Sequence, residues 1–102
     1  MKTFLIFGFL IFSVAVFGQT AETYNSKGDE YWDKQDYKTA ITYYTKAINI
    51  EEKAIYYYNR GSAKDKLGQY EAAILDYDKA ILIDPNFKEA YNNRGSAKYN
   101  LG

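Results

Sequence analysis

Apolar and small residues recur at spacings of three and four through most of the chain, with polar residues between them. In residues 70–83 the row Tyr70, Ala73, Ile74, Tyr77, Ala80 and Ile81 keeps this spacing, which lays an apolar stripe along one side of an α-helix. Residues 37–50 carry the same row as Tyr37, Ala40, Ile41, Tyr44, Ala47 and Ile48. The segment ahead of each row is less apolar; in 54–67 the inner row is Tyr57, Gly61, Lys64 and Leu67. Gly68 is placed to cap a helix C-terminus, and Asp84-Pro85 ends another helix, because the residue before proline is pushed out of helical geometry. The pattern predicts helices near 22–34, 37–50, 54–67, 70–83 and 88–101 and an all-α fold.

The helices come in copies. Residues 24–50 shifted by 33 fall on 57–83 with 10 of 27 positions identical, and residues 54–68 shifted by 34 fall on 88–102 with nine of 15 identical. The string Asn-Arg-Gly-Ser-Ala-Lys stands at both 59–64 and 93–98. Gly28 and Gly61 recur in phase with Ala40 and Ala73, so small residues are expected to face each other across each helix pair, with Tyr44 or Tyr77 filling the space beside them. Glycine inside a helix costs about 1 kcal/mol relative to alanine, and its regular placement points to close backbone approach.

These residues resemble the tetratricopeptide repeat (TPR) family. Its pattern of an aromatic at position 4, Gly at 8, Tyr at 11, Ala at 20, an aromatic at 24, Ala at 27 and Pro at 32 reads Tyr57, Gly61, Lys64, Ala73, Tyr77, Ala80 and Pro85, with Lys64 departing from it. The preceding copy supplies Tyr24, Gly28, Tyr31, Ala40, Tyr44 and Ala47, with Glu52 where proline belongs. The resemblance implies an antiparallel helix-pair solenoid with repeats at 21–53 and 54–87 and a third, 88–102, of which only the first helix is present. The expectation is a piece of a longer array, an N-terminal adaptor of a larger protein, or a chain that self-associates through the uncapped third repeat. Position 7, commonly Leu, is Lys27, Arg60 and Arg94, and is expected to form a partly exposed edge.

The resemblance also implies a concave groove lined by the first helix of each repeat. Its positions hold Asn25, Asp29, Trp32 and Asp33, then Tyr58, Asn59 and Asp65, then Asn92, Asn93 and Tyr99. Ser62, Lys66, Ser96 and Asn100 belong to the same rows. Asparagine amides can hydrogen-bond an extended peptide backbone, and rigid aromatics anchor interfaces. One variant of the family grips a C-terminal carboxylate with Lys, Asn and Arg; the corresponding positions here hold Asn25, Asp29, Asn59, Glu89 and Asn93, of which only Asn59 matches. Five carboxylates stand on the groove rows against the single Lys66, so the expected ligand is a neutral to basic protein or peptide segment.

At the N-terminus Lys2 precedes an apolar run from Phe4 to Phe17, too short for the roughly 20 residues of a bilayer-spanning helix and suited to a signal peptide over residues 1–18. This predicts an exported, periplasmic or secreted, protein with no integral membrane span after cleavage. With 13 basic and 13 acidic side chains there is no basic excess to attract nucleic acid. The chain contains no Cys and no His, which removes disulfides and the commonest general base and metal ligand. No phosphate loop or nucleophile–base pair appears, so no enzyme, cofactor or metal site is expected. The reading is a non-catalytic scaffold for protein or peptide binding. Twelve Tyr and one Trp keep a carbohydrate or cell-wall binding module as the alternative.

Overall fold

The computed structural model describes residues 19–102, and the segment read as a signal peptide lies outside the described residues. The described residues form five helices, α1 (Ala21–Asp33), α2 (Tyr37–Ile50), α3 (Ala54–Lys66), α4 (Tyr70–Ile83) and α5 (Lys88–Leu101), and no strand. Each end falls within one residue of the end that the periodicity predicts. Successive helices pack on one another along the chain, as an all-α stack of helix pairs requires. None of these helices is long and apolar enough to cross a membrane.

The turns that reverse the chain inside the first two pairs are built alike. After α1, the Asp36 N–H donates to the Tyr31 carbonyl at 2.9 Å and the Gln35 N–H to the Trp32 carbonyl at 2.8 Å. After α3, Gln69 donates to Lys64 and Gly68 to Asp65, both at 2.9 Å. This double closure needs a left-handed residue at the turn. Gly68 supplies it with φ 78°, whereas the first turn forces Gln35 to φ 61°. The Asp36 side chain then caps α2 by accepting the Thr39 N–H at 3.2 Å, and the side-chain bond to Thr39 holds the Asp36 carboxyl below its ordinary range.

The core follows the repeat. Ala40, Tyr44 and Ala63 form one buried cluster, and Ala73, Tyr77 and Ala97 form its copy one repeat on. Ala63 and Ala97 come from the first helix of the following pair, so the small residues join neighbouring pairs as well as the helices within one. A third cluster runs along the stack through Ala21, Ala47, Ile48, Tyr56, Tyr57, Ala80 and Ala90. The glycines correct a detail of the sequence reading. A methyl on Gly28 would meet the ring of Tyr44 rather than Ala40, and one on Gly61 would sit 2.9 Å from the Tyr77 ring and 3.1 Å from the Asp76 Cβ. Leu67, expected in an inner row, is 38% exposed at the end of α3.

The edge at position 7 is also more than a row of solvated stems. Asp76 is buried, and Arg60 grips it with Nε at 2.9 Å and Nη2 at 2.8 Å while Lys64 Nζ approaches to 3.0 Å. The equivalents of Arg60, Lys64 and Asp76 in the first pair are Lys27, Tyr31 and Tyr43, and there Tyr31 stacks on Tyr43 at 5.4 Å between centroids. The same place between two helices is closed by an aromatic stack in one repeat and by an ion network in the next. Burial of the Asp76 charge is compensated because both oxygens receive guanidinium donors.

Candidate functional site

The first helices of the three repeats, α1, α3 and α5, line a groove of about 460 Å³. Two side-chain bonds tie them in the same way. The Asn59 amide of α3 donates to Asn25 Oδ1 of α1 at 2.9 Å, and the Asn93 amide of α5 donates to the Tyr58 hydroxyl of α3 at 3.1 Å. In each case position 6 of a repeat reaches position 5 of the one before, which sets the lateral spacing of the groove wall.

The floor comes from the second helices. The rings of Tyr44 on α2 and Tyr77 on α4 are fully buried, yet both residues line the groove. Tyr44 donates its hydroxyl proton to Asp29 Oδ1 at 2.6 Å, and Tyr77 donates to Asp65 Oδ2 at 3.2 Å, with Ser62 Oγ at 3.4 Å. Burial, reinforced by the bond to Asp29, pushes the Tyr44 phenol far above its ordinary value, and burial does the same to Tyr77. Both phenols therefore stay protonated donors, and a carboxylate is fixed above each.

The walls are aromatic and amide. Tyr58 packs on Phe87 at 4.9 Å and against Tyr77 at 6.0 Å between centroids, which holds it upright. Trp32 is set by an edge contact with Tyr37 at 5.1 Å, and the Lys66 ammonium lies over its ring at 5.9 Å. Of the residues singled out from the sequence, Asp29, Trp32, Tyr58, Asn59, Asp65 and Asn93 are brought together here, with Ser62, Lys66, Ser96 and Asn100 from the same rows. Asn25 stands behind the wall, bonded to Asn59. Asp33, Asn92 and Tyr99 are exposed and outside the groove lining, Tyr99 at 86%. Tyr44 and Tyr77 were legible only as core residues, because nothing in their spacing indicates that the hydroxyl ends reach the groove.

The family description "Tetratricopeptide repeat" matches residues 21–53, and "TPR repeat" matches 61–102. A solved structure, "Second TPR of Spaghetti (RPAP3) bound to HSP90 peptide SRMEEVD", superposes with a TM-score of 0.80 at 33% identity, covering 82% of this chain and 79% of that one. The chain belongs to the tetratricopeptide repeat family. The TPR protein "Small glutamine-rich tetratricopeptide repeat-containing protein 2" of Saccharomyces cerevisiae is 40% identical over 83 residues, 80% of this chain and 24% of the relative. "DnaJ homolog subfamily C member 7" of Homo sapiens is 36% identical over 83 residues, 80% of this chain and 17% of the relative. The structure "TPR2AB-domain:pHSP90-complex of yeast Sti1" superposes with a TM-score of 0.78 at 39% identity, covering 79% of this chain and 32% of that one. The TPR chain thus spans a quarter or less of the length of these curated relatives. They correct the expectation of export: the chain resembles relatives named for chaperone systems, "DnaJ homolog subfamily C member 7" and "Heat shock protein STI1" of Saccharomyces cerevisiae, which points away from a periplasmic or secreted protein.

Proposed function

We propose that this TPR chain acts by binding, holding an extended, neutral to basic segment of a partner protein in the groove of α1, α3 and α5. The observation that carries this reading is the lining itself. Asn59 and Asn93 present amides in register along one wall, Trp32 and Tyr58 present aromatic faces, and Asp29 and Asp65 are fixed by tyrosine hydroxyls with Lys66 as the only cation among them. TPR units of similar fold carry peptides ending Glu-Glu-Val-Asp in the Spaghetti structures, and the yeast Sti1 complexes hold Hsp90 and Hsp70 peptides. Those relatives support a peptide as the ligand class. The acidic terminus does not transfer, because the positions that grip it in the clamp variant hold Asn25, Asp29, Asn59, Glu89 and Asn93. A bound carboxylate would face carboxylates here, and like charges brought together in a partly desolvated groove oppose binding.

The test is an amide-detected NMR titration of the chain with an uncharged Ser/Asn/Ala heptapeptide and, separately, with SRMEEVD. The reading expects the uncharged peptide to shift the side-chain amides of Asn59 and Asn93 and the indole of Trp32, and SRMEEVD to leave them in place. Shifts confined to the outer faces of α2 and α4, or preferential response to SRMEEVD, would remove it.

A further inference from the structure

The groove holds two carboxylates whose second oxygens are unspent. Asp29 accepts from Tyr44 through Oδ1 and Asp65 accepts from Tyr77 through Oδ2; among the described residues no other side chain donates to either, and neither forms an ion pair. The same is not true of the buried acid of the stack, Asp76, which is saturated by Arg60 and Lys64. Beside the two free carboxylates stands the face of Trp32, and over that face, 5.9 Å from the ring centroid, lies the ammonium of Lys66. Lys66 also makes no ion pair among the described residues. A cation delivered by the chain's own flexible side chain already rests against the aromatic wall, within the lining that contains Asp29 and Asp65.

From this arrangement we infer that the groove contains a seat for one Lys or Arg side chain of the bound segment, formed by Asp29, Asp65 and the Trp32 face, and that Lys66 is a tethered competitor for it. The inference rests on the peptide-groove reading above and adds to it a residue-level preference and a built-in restraint on affinity. An arginine suits the seat better than a lysine. Its planar guanidinium stacks on an indole while its edge donors reach carboxylate oxygens, whereas an ammonium is a compact, more strongly hydrated point charge. The tyrosine hydroxyls beneath contribute by orientation. Each fixes one carboxylate oxygen from below, so the acceptors are held in place before the ligand arrives and less conformational freedom is lost on binding.

The competition has a definite sign. When a ligand cation enters, Lys66 must swing away from Trp32, and the two positive charges repel across the seat. Removing the Lys66 charge therefore strengthens binding of a basic peptide, the reverse of what deleting a contact residue usually does. Its long stem can relocate to solvent, since Lys66 is exposed at the last position of α3.

The experiment is a calorimetric titration of the chain and its variants with two heptapeptides that differ only at a central Arg or Gln in a Ser/Asn/Ala background. The seat predicts that the Arg peptide binds on the order of tenfold more tightly than the Gln peptide in low salt, with the difference shrinking as salt rises. Asp29→Asn and Asp65→Asn, which keep an acceptor for each tyrosine, should bring the two peptides toward equal affinity. Lys66→Gln should raise affinity for the Arg peptide by roughly threefold, as expected for relief of one partly screened like-charge contact. Circular dichroism of each variant checks that the helices are retained. Equal binding of both peptides by the parent chain would overturn the seat while leaving the peptide groove standing. Weaker Arg-peptide binding by Lys66→Gln would overturn the competitor role. Failure of both peptides to bind would overturn the groove reading and the seat together.

Discussion

The hydroxyl of Tyr44 donates a 2.6 Å hydrogen bond to Asp29, so one side chain both fills the core beside Gly28 and fixes an acid in the groove. Core packing and the groove lining are mechanically joined at this residue. A change on the core side of the ring is transmitted to the carboxylate on the other.

Gly28 and Gly95 occupy the same position of the repeat and are expected to respond oppositely to alanine. At Gly28 the added methyl lands on the Tyr44 ring, a buried and well-packed group, and overpacking of this kind costs about 2 kcal/mol. At Gly95 a methyl meets nothing within 4 Å, so the intrinsic preference of a helix for alanine stabilises by up to about 1 kcal/mol. Urea denaturation of the two variants checks the signs, and a stabilised Gly28→Ala would contradict the close packing.

Asp76 tests the ion network. Asp76→Ala leaves Arg60 and Lys64 half-buried without their acid and should cost about 3 kcal/mol, as breaking a buried pair does. Restoring the first repeat's solution, with Lys64→Tyr and Asp76→Tyr together, should recover much of that loss. A double variant less stable than Asp76→Ala would argue that the two packings are not interchangeable.

The left-handed turn after α1 predicts a gain. Gln35 adopts φ 61° where its counterpart Gly68 adopts 78°, and a side chain there costs about 1 kcal/mol relative to glycine. Gln35→Gly should raise the melting temperature, and Gly68→Gln should lower it.

Stability should also fall in alkali. Burial raises the phenols of Tyr44 and Tyr77 above the ordinary 10.0 that they recover on unfolding. The folded chain then retains protons that the unfolded chain releases, so this contribution is intact below about pH 10 and is lost as pH rises toward the folded values. Phenolate absorbance should show the two groups ionising together with loss of helical circular dichroism. Complete phenol titration in a fully helical chain would contradict their burial.

The fold was legible because each structural decision is stated more than once in the chain. Ala40, Tyr44 and Ala47 recur as Ala73, Tyr77 and Ala80, and a stripe repeated in phase fixes both helix length and the face that packs. The groove was legible in part. The resemblance to the repeat family implies which rows of α1, α3 and α5 face inward, but not how neighbouring elements prop each side chain. Tyr58 enters the wall because Phe87 and Tyr77 pack against it, whereas Asn92, at the same position of the next repeat, remains exposed. The Arg60–Asp76 pair lay hidden because its partners are 16 residues apart on different helices. Its trace in the sequence is a joint change, Lys27, Tyr31 and Tyr43 becoming Arg60, Lys64 and Asp76.

Trp32 is the single tryptophan of the chain and stands in the groove wall, so its fluorescence reports occupancy of that surface alone. Titration with the Arg-centred heptapeptide should change its emission saturably, and the change should be lost with excess salt. An emission unaltered at saturating peptide, where calorimetry records binding, would place the ligand elsewhere and contradict the account.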